Sequence, residues 1–304
     1  MAAPIVYRWD DANAPIARGE RRSLCDILYA CLVTGYGTKL GAGWTREYVN
    51  ATFDKAAFRN NPVTGTGFFL QVDGLTAANA YTPKLQGFEA MTSESDGLFP
   101  FNAATSNLFT TSNAASTSAR PWILIADDRA FWLIIWTTIT TTPTVANTYS
   151  PGIFFGDFVS RFSDDAYACG LLCYYGAFPL LLTPATVGGS NSDLKVPRKY
   201  SGAVGSSYLA ATVHGGGPGT YPYMGSNGAP YTPGDLIYSR PHINDGSAYS
   251  FRGFFPGLYY PCHQHPFAQF EAINAAGKNF IGLKCFVADS NIGTVMISLD
   301  DWRV

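Results

Sequence analysis

The sequence predicts a mainly β protein of the α+β class. The expected form is an antiparallel sandwich or barrel-like core with one N-terminal amphipathic helix and long ordered loops. Three observations predict it. Aromatic residues make up 15% of the 304-residue chain, which also carries 31 Gly and 19 Pro, a composition of strands and turns rather than of helical bundles. Apolar runs of strand length recur between turn residues. One stretch alone, Arg21–Thr34, repeats its apolar residues with helical spacing.

That stretch reads RRSLCDILYACLVT. Leu24, Ile27, Leu28, Cys31 and Leu32 fall at i, i+3, i+4, i+7 and i+8 and make one apolar face. Ser23 is a candidate N-cap, and Gly35 suits a left-handed C-cap. A glycine-rich loop, Gly35–Thr45, follows. Gly67–Asp73 is a strand ending at Gly74, and Lys84–Met91 is its expected partner. Pro121–Trp136 is the strongest signal: WILIA, the polar turn Asp127-Asp128-Arg129, then AFWLIIW, together a central hairpin. Leu171–Leu182 is a further apolar stretch in which Pro179 limits how central the strand is. The C-terminus repeats the hairpin theme, with Phe280–Ala288, a turn over Asp289–Gly293, and then TVMISLD. The helix is expected to pack on a core built from these two hairpins.

Two stretches read as surface loops: Asn102–Ala119, rich in Ser, Thr, Asn and Ala, and Gly188–Pro233, rich in Gly, Pro, Ser and Tyr. The expected organisation is one β-rich domain over 1–304 with a Gly/Pro/Tyr-rich loop region at about 188–240. The tyrosines of that region (Tyr200, Tyr208, Tyr221, Tyr223, Tyr231 and Tyr238) suggest that it orders against a surface, its own or a neighbour's.

Composition also excludes. Charged residues are 14% and the net charge is −2, so no basic face for nucleic acid is expected. Apolar runs stop short of the about 18 residues a membrane-spanning helix needs. Met1–Asp11 lacks the basic and apolar regions of a secretory signal. So neutral a chain is expected to have much of its surface covered by other chains.

The chemistry-bearing residues form few patterns. Cys262-His263-Gln264-His265 is the densest set of metal-ligand types, and Cys262, His263 and His265 are weak candidates for a metal. One short cluster without a second pair falls short of a zinc site, and a Pro-bounded turn is the plainer reading. No cofactor is expected. The six cysteines, Cys25, Cys31, Cys169, Cys173, Cys262 and Cys285, are an even number and so candidates for disulfides. Free buried thiols are the default in a chain of this length without a secretion signal. His214-Gly215-Gly216-Gly217 resembles an esterase oxyanion loop, but no G-x-S-x-G nucleophile turn exists in the chain. Gly35-Tyr36-Gly37-Thr38-Lys39 follows a helix instead of preceding one, which is the wrong order for a phosphate loop. The doublets Asp127-Asp128, Asp164-Asp165 and Asp300-Asp301 read as solvated turn residues. Trp44, Tyr48, Phe53 and Phe58 are candidates for sugar stacking, or for the core. No catalytic residue is assigned, and the chain is expected not to be an enzyme.

Several segments together resemble a family of tailed-bacteriophage virion proteins: Ala3–Pro15, Leu28–Thr45, Ala119–Trp136, Phe154–Leu172, Arg252–Phe267 and the C-terminal hairpin. The resemblance implies a structural protein of the neck, collar, tail or baseplate, assembled in the host cytoplasm into the virion. Its implied partners are copies of itself and other virion proteins, with no nucleic acid and no membrane span. It supplies no catalytic residues. The cysteines and the Cys262–His265 cluster depart from the family's general pattern. The runner-up reading is a host-surface glycan-binding attachment module of the tail; the third is a metal- or carboxylate-dependent hydrolase of cell-wall or capsule polymers.

Overall fold

The computed structural model describes residues 3–77, 79–101, 109–138, 150–174, 194–204, 209–214, 238–245, 250–261, 268–287, 290–300 and 302–303. The protein is mainly β, with 44% of residues in strands and 6% in helix. In chain order, β1 (Ile5–Arg8) is followed by helix α1 (Ser23–Leu28), which continues as a π-helical turn over Tyr29–Thr34. Five strands come next: β2 (Thr45–Val49), β3 (Lys55–Arg59), β4 (Phe69–Asp73), β5 (Lys84–Met91) and β6 (Gly97–Phe101). The middle of the chain supplies β7 (Trp122–Ala126), β8 (Ala130–Ile135), β9 (Gly152–Asp157), β10 (Val159–Ser160), β11 (Cys169–Tyr174), β12 (Leu194–Val196) and β13 (Leu209–His214). The last strands are β14 (Tyr238–Ser239), β15 (His242–Asp245), β16 (Ser250–Phe254), β17 (Leu258–Pro261), β18 (Ala272–Ala275), β19 (Lys278–Val287) and β20 (Ser290–Ser298).

These strands form three antiparallel sheets. The N-terminal sheet runs β2-β3-β4-β5-β6, the C-terminal sheet β14-β17-β20-β19-β18, and the long sheet β1-β7-β8-β9-β11-β12-β13-β15-β16-β10. The three are layered. Trp122, Leu124, Phe131, Leu133, Ile153 and Phe155 face one core, shared with α1 and the N-terminal sheet. Their neighbours Ile123, Ile125, Trp132, Ile134 and Phe154 face the opposite core, shared with Leu258, Leu283, Val295 and Ile297 of the C-terminal sheet. Alternation along a strand sends successive side chains to opposite faces. Burial on both faces is therefore what makes β7 and β8 read as unbroken apolar runs.

Of the two hairpins, the helix accordingly shares a core with the 122–135 one, and the C-terminal hairpin covers the other side of that hairpin. This corrects the expectation that both hairpins form one core beneath the helix. In the C-terminal hairpin, pairing extends to Val287 opposite Ser290, so Ser290–Gly293 belong to β20 rather than to the turn expected over Asp289–Gly293.

The long sheet closes on itself in part. β9 and β10 are one strand interrupted at Phe158. β9 pairs with β11, while β10 pairs with β16. The strands β11, β12, β13, β15 and β16 lie between, so a closed circuit of six strands hangs from the central layer. Closure removes the edges that an open sheet would expose.

Local chemistry explains the helix. Ser23 is its first residue rather than its cap, and Arg22 is the flanking residue without a side-chain cap. The Ser23 hydroxyl accepts from the Arg18 amide at 2.8 Å instead, tying the entering chain down. At the other end Gly35 has φ 77° and ψ 174°, a conformation that only glycine adopts readily. The returning loop donates Ala42 N–H to the Cys31 carbonyl and Trp44 N–H to the Leu32 carbonyl, each at 3.1 Å. These bonds serve carbonyls that a helix end leaves unpaired. A side chain at Gly41 would collide with the Val33 carbonyl. Gly41 therefore serves close packing on the helix end.

The Asn102–Ala119 stretch is only partly a surface loop. Of its described residues, Phe109, Thr111 and Ser112 are fully buried. Phe109 N–H and Thr111 N–H each donate at 2.9 Å, to the Pro83 and Tyr81 carbonyls. Most of Gly188–Pro233 lies outside the described residues, apart from β12, the turn that follows it, and the backbone of β13.

Candidate functional site

The most heavily bonded polar centre is the turn of the central hairpin, Asp127-Asp128-Arg129, together with Asp157 at the end of β9. All three layers meet there. From the N-terminal sheet, Trp44 Nε1 donates to the Asp127 carbonyl at 2.9 Å. Asn60 Nδ2 donates to the Arg129 carbonyl at 3.0 Å and to Asp157 Oδ1 at 2.9 Å. Thr66 gives Asp157 both its amide, at 2.9 Å, and its hydroxyl, at 2.6 Å. Asn61 Nδ2 reaches Asp128 Oδ2 at 3.1 Å, and the Thr64 hydroxyl binds the same oxygen. From the C-terminus, Arg303 pairs with Asp127 at 3.1 Å and donates to the Asp157 carbonyl at 2.7 Å. Burial lifts the Asp157 carboxyl above its usual range, outweighing the donors from Thr66 and Asn60 and the Arg303 charge.

A second centre fastens the closed circuit. Arg252 of β16 makes a two-pronged pair with Asp165, Nε to Oδ2 and Nη2 to Oδ1, both at 2.9 Å. Their side chains are 0% and 1% exposed. Arg252 also donates to the Arg198 carbonyl at 2.7 Å and the Tyr167 carbonyl at 3.0 Å. Arg198 in turn pairs with Glu89 of β5 at 2.6 Å, bridging to the N-terminal sheet. Ser160 Oγ donates to Asp165 Oδ2 at 2.8 Å.

These geometries correct the solvated reading of two doublets. Asp127 and Asp165 are buried and ion-paired, because each sits where separate elements converge and a buried carboxylate needs compensation. Asp164 is exposed and accepts from the Tyr200 hydroxyl at 2.9 Å. Asp300 accepts from the Asn279 amide at 2.8 Å, and those bonds hold its carboxyl below the usual range. Asp301 lies outside the described residues.

The remaining candidates divide by burial. Cys25, Cys31, Cys169 and Cys173 are free buried thiols, and burial raises all four above an ordinary thiol. Cys25 and Cys31 on the helical segment and Cys169 and Cys173 on β11 all belong to the core between helix and central layer, and they are not paired as disulfides. Cys262, His263 and His265 lie outside the described residues, as does the side chain of Cys285. Gly215–Gly217 also lies outside, and His214 is described only by its backbone pairing with His242. Among the described residues, no group of three or more His, Cys, Asp or Glu could hold a metal ion. Lys39 of the glycine loop is engaged by Asp11 and the Val6 carbonyl, both at 2.6 Å. Of the sugar-stacking candidates, Trp44 and Phe58 are buried, and Tyr48 stacks on Phe69. Phe53 is partly exposed under Arg46. Five of the six tryptophans are buried, and the sixth, Trp9, lies against Phe270 at 5.0 Å.

No protein-family model matches the chain, and no curated protein matches it.

The sequence left the buried ion pairs unseen. Their partners are far apart, 87 residues for Arg252 and Asp165 and 176 for Arg303 and Asp127. A local pattern carries no signal for such pairs. No described helix is long and apolar enough to cross a membrane.

Proposed function

We propose that the chain is a non-enzymatic structural subunit of a tailed-bacteriophage particle. It assembles with copies of itself, in the neck, collar, tail or baseplate. The virion-protein resemblance and the low charge support this reading, and one structural observation carries it. β6 is the outermost strand of the N-terminal sheet, and it holds Leu98 59% and Phe99 48% exposed. An apolar edge strand left in water invites association. Pro100 lacks an amide hydrogen, and Phe99 has φ 52°. Together they break the ladder, so a neighbour meets the side chains rather than extending the sheet. A symmetric assembly buries such a patch once per subunit.

The test is the mass of the purified full chain by light scattering, beside the double variant Leu98→Asp, Phe99→Asp. A discrete homo-oligomer for the parent, shifted towards monomer in the variant with an unchanged circular-dichroism spectrum, is the expected result. A parent that stays monomeric at high concentration overturns the reading.

A further inference from the structure

A stripe of arginines and aromatic rings runs from the closed circuit onto the C-terminal sheet. It begins at Arg161, an exposed residue just after β10. The Arg161 guanidinium lies 5.1 Å from the Phe162 ring and 5.8 Å from the Phe251 ring. Phe251 contacts Phe254 at 4.9 Å. Arg240 lies 4.6 Å from Phe254 and 5.5 Å from Tyr259. Tyr259 is buried; exposed Lys278 ends the stripe, 5.5 Å over that ring, and donates to its hydroxyl at 3.2 Å.

A bulge builds this surface. Residues three apart on a regular strand face opposite sides, yet Phe251 and Phe254 touch. The pairing of β15 with β16 slips between Ile243 and Asn244, so that Asn244 meets Phe251 and Ile243 meets Gly253. Arg252 is the extra residue and turns inward to Asp165. One irregularity thus buries one arginine and aligns two phenylalanines on one face, the re-aiming that bulges provide.

The two arginine charges of the stripe are not neutralised from within. Neither Arg161 nor Arg240 has a carboxylate at ion-pair distance among the described residues; Arg161 is exposed, whereas Arg240 is half-buried, with its Nε shut away from solvent and without a hydrogen-bond partner there. Of the nearby acids, Asp165 is taken by Arg252. Asp164 holds the Tyr200 hydroxyl, and Asp300 holds Asn279 and faces the Lys278 charge at the end of the stripe. A guanidinium stacked on a ring keeps its N–H edge for a planar anion.

We propose that this stripe binds an acidic polysaccharide, with Arg161 and Arg240 each taking a sugar carboxylate and the ring edges between them lining the pyranose backbone. Two separate guanidiniums joined by apolar surface fit a polymer with repeating acid groups better than a single small anion. A single-stranded nucleic acid needs open ring faces for base stacking. Here those faces are engaged: Phe162 stacks on Tyr200 at 3.9 Å, and the rings of the stripe meet one another or a guanidinium. The inference goes beyond the assembly reading and does not rest on it.

The test is retention of the full chain on immobilised polygalacturonate over a salt gradient, with neutral dextran and a single-stranded oligonucleotide as competitors. Retention should fall with salt and resist dextran. The double variant Arg161→Ala, Arg240→Ala should lose at least about tenfold in affinity, the cost of one charge-assisted hydrogen bond. Phe251→Leu with Phe254→Leu should weaken retention while leaving every charge in place. Arg46→Ala removes a similar arginine, 3.7 Å over Tyr29 on the N-terminal sheet, and should have no effect. Absence of retention at low salt overturns the proposal. So does an equal loss in Arg46→Ala, or displacement by the oligonucleotide as readily as by free polygalacturonate. Circular dichroism on each variant separates lost binding from lost fold. A variant pair that binds like the parent also overturns the proposal.

Discussion

Arg252 and Asp165 form a two-pronged ion pair from which solvent is fully excluded, although 87 residues separate them in the chain. The pair joins β16 to the loop before β11 and so ties the closed circuit across its seam. Its carboxylate oxygens are further occupied by Ser160 and the Tyr167 amide. Removing one partner leaves the other buried and uncompensated. Asp165→Asn and Arg252→Met should each cost about 3–5 kcal/mol of folding stability, read from urea unfolding. A loss below about 1 kcal/mol, the ceiling for a surface pair, would refute the structural role.

Trp132 sits on the face of the central hairpin turned towards the C-terminal sheet. Its ring packs against Phe154 at 4.6 Å and Phe255 at 5.4 Å. Its indole N–H donates to the Pro256 carbonyl at 2.9 Å. Trp132→Ala should destabilise by about 3–5 kcal/mol. Val63→Ser, at a position 89% exposed, should stay within about 0.5 kcal/mol of the parent. Thermal unfolding of the two variants side by side checks both.

Two buried carboxylates should respond to acid in opposite directions. Burial raises the Asp157 carboxyl, so the folded chain holds that proton more tightly than the unfolded chain. Its contribution is most favourable at low pH and is lost as pH rises past the ordinary value of about 3.9 towards the raised one. Burial also pushes Asp73 up, but the amide and hydroxyl of Thr76 and the Lys55 charge outweigh it and leave the carboxyl lowered. Asp73 therefore contributes above the ordinary value, and that contribution is lost as pH falls below it. The stability difference between parent and Asp157→Asn should move against the parent as pH rises through the weakly acidic range. For Asp73→Asn the difference should shrink as the solution is acidified. Urea midpoints across that range measure both slopes, and slopes of the same sign would contradict the assignment.

The four described cysteines should be inert in the folded protein. Cys25, Cys31, Cys169 and Cys173 are buried and raised by that burial, which suppresses the reactive thiolate. Alkylation with iodoacetamide followed by peptide mass spectrometry should modify them only after denaturation. Rapid native labelling, or a disulfide-linked peptide joining any two of them, would show that the core differs.

Much of the architecture was legible locally. The apolar alternation around Asp127–Arg129 marks β7 and β8, and Lys84–Met91 matches β5 residue for residue. These elements were readable because turn residues and side-chain period act over neighbouring positions. Less of the candidate site was legible. Asp127 and Asp165 look like solvated turn residues, since nothing adjacent announces a distant arginine. The stripe was equally hidden. Phe251 and Phe254 should face opposite ways on a plain strand, and only a slip against β15 brings them together.

By itself, then, the sequence determined the class of the protein: strands, hairpins, one helix and a surface with little charge. Those follow from composition and short-range periodicity, which each segment carries whatever surrounds it. The tertiary structure decided what those segments do to one another. It put β7 and β8 between two cores, closed six strands through the break at Phe158, and turned one arginine of β16 inward while its phenylalanines faced out. Such outcomes depend on which distant segments meet and in what register, and a shift of one residue reverses the face of every side chain.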